Sequence, residues 1–293
     1  MAAESQKIHG GTVNGRSHSF RKFKNALVSI LSGISAIFGL FILIWIIYEI
    51  MIRGVSALNL SFFTELPTPP GMEGGGLANA MIGTLLITFL ATILGVPFGL
   101  LAGIYLSEFG YQSKFSEWVR FFSNILMGTP SIIIGVFVYT ILVVPVGHFS
   151  GYSGGVALAI IMLPVVARTT EDMLQMVPNA LRESALALGS PRWKVTLTIV
   201  FRGAKTGMIT GVLLAIARVS GETAPLLFTA LNSPYWPGML NDSTANLTVT
   251  IFNYAMSPYP DWQQMAWGAS LLITLAVLFV TLLTRFALKE RKQ

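Results

Sequence analysis

The sequence predicts an all-α integral membrane protein with six transmembrane helices. Three observations predict it. Of 293 residues, 53% are hydrophobic and only 11% are charged, against about a quarter charged in a soluble domain. Charge is missing from long runs: Ala26–Tyr48, Gly74–Ser107, Phe121–Ala167 and Trp262–Thr284 contain none. Nor do these runs alternate polar and apolar residues, as the strands of a membrane β-barrel would at roughly ten-residue intervals.

A span needs roughly 20 apolar residues. The first run gives a helix over 26–48 and the second one over 79–107. The third is long enough to cross twice, turning at Pro145-Val146-Gly147-His148-Phe149-Ser150-Gly151, and gives helices over 120–145 and 154–172. Thr206–Asn241 is interrupted only by Arg218 and Glu222 and gives a helix over 204–231; the last run gives 264–287. Residues 1–25 are polar, with Gly10-Gly11 and Asn14-Gly15, and read as a disordered tail before a membrane domain over 26–293. A cleaved signal does not fit: the charged lead and the first apolar run are both too long, and no small-x-small site follows.

Lys and Arg collect on the cytoplasmic side of membrane proteins. Lys7, Arg16, Arg21, Lys22 and Lys24 lie in the tail, and Arg168, Arg182, Arg192, Lys194, Arg202 and Lys205 between the fourth and fifth helices. Arg285, Lys289, Arg291 and Lys292 lie at the C-terminus. The opposite loops carry Arg53 beside Glu49, Glu65, Glu73, Asp242 and Asp261. The short 108–119 loop adds only Lys114 against Glu108 and Glu117 and decides nothing. Both termini and the loop over 173–202 are therefore expected in the cytoplasm. The net charge of +6 is a topology signal, not a sign of nucleic-acid binding.

Several chemistries are absent from the sequence. No Cys is present, which excludes disulfides, thiolate metal sites and Cys nucleophiles. Gly203-Ala204-Lys205-Thr206 lacks the glycine spacing of a phosphate-binding P-loop. His9 and His18 lie in the tail and His148 in a turn, so no His cluster holds a metal. No G-x-S-x-G elbow occurs.

Pro178-Asn179-Ala180-Leu181-Arg182-Glu183-Ser184-Ala185-Leu186-Ala187-Leu188-Gly189 predicts one short cytoplasmic helix. Proline suits its first turn, Ala and Leu its interior, and Gly189 a left-handed C-terminal cap. Leu181, Ala185 and Leu188 share one face, flanked by Arg182 and Glu183. A helix this short needs a surface to pack on. That surface is either its own membrane helices or another protein, and the pattern alone leaves both open.

The spacing Glu183-x-Ala185-x-x-x-Gly189, with Ile199 ten residues on, resembles the cytoplasmic "EAA" loop of ABC importer permeases. Ser184 replaces the loop's usual second-position Ala, and Phe201-Arg202 stands where a Leu-Pro often ends it. Gly74-Gly75-Gly76-Leu77-Ala78-Asn79-Ala80 and Ile82-Gly83-Thr84-Leu85 resemble the entry to helix two of phosphate permeases. Leu213–Leu231 resembles their fifth helix, and Ala255-Met256-Ser257-Pro258 with Asp261-Trp262-Gln263-Gln264 the approach to their last. From about residue 26 to 290 the chain is similar to the phosphate-importer permeases of the binding-protein-dependent family. The resemblance implies a MetI-like fold in which Glu183, Ser184, Ala185 and Gly189 form a coupling helix that docks on a separate ATPase. It also implies an ATPase dimer holding ATP and Mg, a second permease chain, and a phosphate-binding protein on the outer side of the inner membrane. The chain itself would hold no cofactor.

Arg218 and Glu222 are four residues apart and are expected on one face near the centre of the fifth helix. An Arg at that depth costs about 2.5–3.5 kcal/mol on insertion scales. Two readings stand: a salt bridge locking helices, or an oxyanion relay in which the planar guanidinium turns from Glu222 to arriving phosphate. The resemblance associates charged residues of this helix with transport. Thr223 could add a hydroxyl, and Arg168 is either a further path residue or a snorkelling residue beside Glu171 and Asp172. Gly95, Gly99 and Gly103 form a ridge for close helix packing; Gly207 and Gly211 repeat the pattern. Pro97, Pro130, Pro164 and Pro225 fall inside four spans and can bend them. A permease for sulfate or molybdate, an ion-coupled secondary transporter and a membrane enzyme are the competing readings.

Overall fold

The computed structural model describes residues 15–72, 74–110 and 113–287. The predicted tail over 1–14, Glu73, and the C-terminal Lys289, Arg291 and Lys292 lie outside them. Helix α1 is Gly15–Val55, so it is helical through the 15–25 stretch expected to be tail. The short α2, Leu60–Thr64, is capped by Asn59, whose side chain accepts the Phe62 N–H. Helix α3, Ala78–Ile104, runs on through a π-helical turn, Tyr105–Phe109. Helices α4, Lys114–Gly128, and α5, Ser131–Val138, follow; a second π-turn and the short α6, Val144–Val146, continue α5. Next come α7, Gly151–Gln175, and α8, Asn179–Ala187. Helix α9, Arg192–Val195, passes through a third π-turn into α10, Phe201–Ser220. The chain closes with α11, Ala224–Leu227, α12, Leu247–Ala255, and α13, Pro260–Ala287.

Five helices among the described residues are long and apolar enough to cross a membrane: Phe20–Val55, Ala78–Phe109, Gly151–Gln175, Arg192–Ser220 and Pro260–Thr284. Two predicted spans differ. The expected helix over 120–145 is a bent pair, α4 and α5, turned by 104° at its break. The cause is Pro130, which lacks an N–H and drives the residue before it toward extended backbone; Thr129 has ψ 132°. The expected helix over 204–231 begins earlier and stops at Ser220. Pro225 cannot donate to the Gly221 carbonyl and clashes with it, which weakens the helix at that turn.

The chain divides into two units, residues 1–51 and 52–293. In the first, α1 exposes every side chain from Phe20 to Tyr48. In the second, α7 is the central element. Its core partners include Ile87 and Ala91 of α3, Ile134 of α5, Ala215 and Val219 of α10, and Leu226 of α11, around Leu158, Met162 and Val166. Glycines let the neighbours approach. A Cβ on Gly95 would meet that of Met162 at 3.1 Å, one on Gly99 that of Val166 at 2.8 Å, and one on Gly103 the Ala167 carbonyl at 2.5 Å. From the α10 side, Gly207 and Gly211 face Met173 and Thr169. Helix α7 is thus gripped between two glycine ridges. We expect Gly99→Ala to destabilise the chain by about 1–3 kcal/mol, the usual range for overpacking. A denaturation midpoint in detergent equal to the parent's would contradict this.

Candidate functional site

Two regions carry the chemistry. The first is where the broken spans meet. Helix α5 packs on α11 so closely that a Cβ on Gly135 would lie 2.6 Å from the Pro225 Cα. The two proline breaks therefore lie side by side. A cavity of about 240 Å³ opens there, lined by Thr129, Pro130 and Ser131 at one break, Ile161 and Val165 of α7, and Arg218 and Glu222 at the other. Arg218 sits in the last turn of α10, not at mid-helix, and Glu222 lies beyond the helix end. The expected buried pair is therefore open: the Arg218 side chain is 60% exposed and its Nε stands 4.0 Å from Glu222 Oε1. Thr223 occupies the N-cap position of α11 without making a side-chain cap, and it does not line the cavity.

Arg168 lies inside α7. Its Nε is 3.3 Å from Asp172 Oδ1 and its Nη1 3.7 Å from Glu171 Oε2. Glu171 has a stronger partner. That is Arg120 of α4, whose Nε donates to Glu171 Oε1 at 2.7 Å while its Nη2 donates to the Leu106 carbonyl at 3.0 Å. Gln175 Nε2 adds a bond to Glu171 at 3.1 Å. Arg120 opens the predicted third span, and a charge at a span boundary was its only signal.

The second region is α8. Pro178 stands at its N-cap and Gly189 follows it with φ +80°, the left-handed conformation glycine adopts most readily. Gly189 N–H donates to Leu186 O and Ser190 N–H to Ala185 O. Ala185 packs into a cluster with Leu174, Val177, Val195 and Val200. Of the three residues expected to share a face, only Ala185 is buried; Leu181 and Leu188 are exposed, Leu188 to 86%. Glu183 and Ser184 are exposed too. The Ser184 hydroxyl donates to Ala180 O within its own helix.

Arg182 anchors α8 to the bundle. It grips Glu108, at the end of α3's π-turn, with Nη2 at 2.8 Å from Oε1 and Nε at 3.3 Å from Oε2. It also donates to the Leu174 carbonyl near the end of α7 and to the Val177 carbonyl just beyond it. At the opposite end of α3, Tyr254 of α12 stacks on Trp262 of α13 at 4.3 Å. Burial pushes its phenol up to about 12. Among the described residues no group of His, Asp and Glu could hold a metal ion.

The arrangement of these membrane helices is shared with solved ABC transporters. The chain matches the inward-facing MetNI methionine ABC transporter with a TM-score of 0.62 and 20% identity, over 73% of this chain and 94% of that one. It matches a bacterial alginate ABC transporter, in complex with an alginate pentasaccharide-bound periplasmic protein, with a TM-score of 0.65 and 12% identity, over 91% and 95%. The likeness is one of fold. Residues 95–289 match the model of the family described as binding-protein-dependent transport system inner membrane component, and the chain belongs to that family. Its relatives include the phosphate transport system permease protein PstA of Yersinia pestis, 47% identical over 277 residues and 94% of each chain. The protein of that name in Haemophilus influenzae is 49% identical over 273 residues, 93% of this chain and 96% of that one. The probable phosphate transport system permease protein PstA of Methanocaldococcus jannaschii is 36% identical over 93% and 96%.

Proposed function

We propose that this chain is a permease subunit of an ATP-driven phosphate importer. The observation that carries the reading is identity of 47% and 49% to phosphate permeases along nearly the whole chain. The cavity supports it. An arginine fork exposed at the junction of two broken spans suits an oxyanion that must be bound and then released. Arg218, Glu222 and Arg168 belong to the phosphate path; Thr223 lies at its margin.

The driving force comes from a partner ATPase, which holds ATP and Mg. Its groove receives α8 through Glu183, Ser184 and the turn at Gly189, while Ala185, expected on the same docking surface, instead seats the helix on the bundle. Exposed Leu181 and Leu188 fit a surface that is covered in the assembly. One chain offers one coupling helix and an ATPase dimer two grooves, so a second permease chain completes the pore. A phosphate-binding protein delivers cargo on the face opposite α8. The Lys and Arg distribution supports a cytoplasmic location for both termini and α8.

The test is uptake of labelled phosphate by cells lacking this gene, with sulfate uptake as control. Loss of phosphate uptake alone, restored by the intact gene, is expected. Restoration with Arg218→Ala should fall short by about tenfold, as expected when a charged hydrogen-bonding partner is removed. Unchanged phosphate uptake with loss of sulfate uptake would overturn the reading.

A further inference from the structure

The arginine–carboxylate pairs of this chain are not alike. Arg120 with Glu171 and Arg182 with Glu108 close to 2.7 and 2.8 Å, and each arginine also serves backbone carbonyls. These are locks. Arg218 and Glu222 stop at 4.0 Å and share no hydrogen bond, though charge-assisted bonds close to about 2.7–2.9 Å when geometry allows. Among the described residues the Glu222 carboxylate accepts no hydrogen bond at all. Its backbone, by contrast, is fixed. The Glu222 N–H donates to Val219 O at 3.1 Å, and the carbonyl accepts from the buried Thr248 hydroxyl at 2.9 Å. The structure therefore holds a carboxylate beside a guanidinium on the wall of a cavity, with no side chain of the described residues locked onto it.

We propose that Glu222 selects the cargo by its proton. The inference rests on the phosphate reading and refines it. An ionised carboxylate only accepts hydrogen bonds. An anion brought against it is repelled unless it carries a hydrogen to donate. Near neutral pH phosphate keeps at least one P–OH, whereas sulfate has none. Arg218 takes the bare oxygens of phosphate with its fork, and Glu222 accepts the hydroxyl hydrogen. Sulfate has the same shape but sets an oxygen lone pair against the carboxylate. A buried site built to bond a substrate hydroxyl rejects an analogue lacking it by up to about 10⁴–10⁵. Glu222 keeps 18% of its side chain exposed, so a smaller factor, about tenfold or more, is expected here.

The test uses the complete importer purified without its binding protein, so that no other component filters the anion. Labelled phosphate is displaced by unlabelled phosphate, by sulfate, and by fluorophosphate, a dianion with fluorine in place of the hydroxyl. In the parent complex sulfate and fluorophosphate should compete at least about tenfold less well than phosphate. In Glu222→Gln the amide N–H₂ can donate to an unprotonated oxygen, and the discrimination should fall below about threefold. Equal competition by fluorophosphate in the parent complex would overturn the inference without any variant. So would Glu222→Gln binding phosphate with the parent's discrimination. In both cases phosphate still binds, and the cargo reading survives. A parent complex that binds sulfate in place of phosphate would defeat both.

Discussion

Arg120→Ala is expected to destabilise the protein by about 3 kcal/mol, at the lower end of the range for breaking a buried pair. Glu171 drives the effect: its side chain is 2% exposed, and removing Arg120 leaves its charge without the partner at 2.7 Å. Arg168 at 3.7 Å and Gln175 at 3.1 Å remain and keep the loss from being larger. The Leu106 carbonyl in the α3 π-turn loses its donor as well. The clip therefore fails on two elements together, α3 and α7. In detergent the midpoint should drop by several degrees. The double variant Arg120→Met/Glu171→Met tests the cause, because two well-packed apolar groups can replace a buried pair at little cost. If the double variant is no more stable than Arg120→Ala, the unpaired Glu171 charge is not the reason.

What could be read from the sequence follows the strength of the physical signal. Charge-free runs mark spans because an unpaired charge in hydrocarbon is costly, and those predicted from 79, 154 and 264 match α3, α7 and α13 closely. The ridge at Gly95, Gly99 and Gly103 was legible from its spacing, since small residues four apart fall on one face. Its partners Met162, Val166 and Ala167 were not, because nothing local names them. The prolines divide in the same way. Pro97 and Pro164 sit inside continuous helices, whereas Pro130 and Pro225 mark breaks. Their flanking residues do not distinguish them. What does is tertiary: the two breaks pack on each other at Gly135 and Pro225. Arg218 and Glu222 could be picked out by charge alone, but their true setting depended on those breaks. Arg120 with Glu171, 51 residues apart, and Arg182 with Glu108, 74 apart, are pairings that one sequence cannot reveal.

Arg182→Ala is expected to cut phosphate uptake by about 100-fold or more, the scale of removing one partner of a buried pair, while leaving ATP hydrolysis by the assembled importer running. The reasoning follows a chain of contacts. If α8 is the element the ATPase pushes, its motion must enter the bundle through its fixed attachments. Ala185 supplies an apolar one. Arg182 supplies the polar one: five donors in a planar fork, bidentate to Glu108 in the π-turn that continues α3 and bonded to the Leu174 and Val177 carbonyls at and just past the end of α7. Those two helices are joined by the glycine ridge, and α7 lines the cavity at Ile161 and Val165. Without Arg182, α8 keeps its exposed surface for the ATPase but loses its grip on both helices. The ridge and the Arg120 clip are untouched, so the bundle should still assemble. Arg182→Lys should recover little, since a point charge cannot serve Glu108 and two carbonyls at once. Glu108→Gln should be milder, because the α7 carbonyls keep their donor. Measuring uptake and ATPase activity on the same preparation separates the possibilities. Parallel loss of both would mean Arg182 serves assembly, and full uptake in Arg182→Ala would mean force enters the bundle elsewhere.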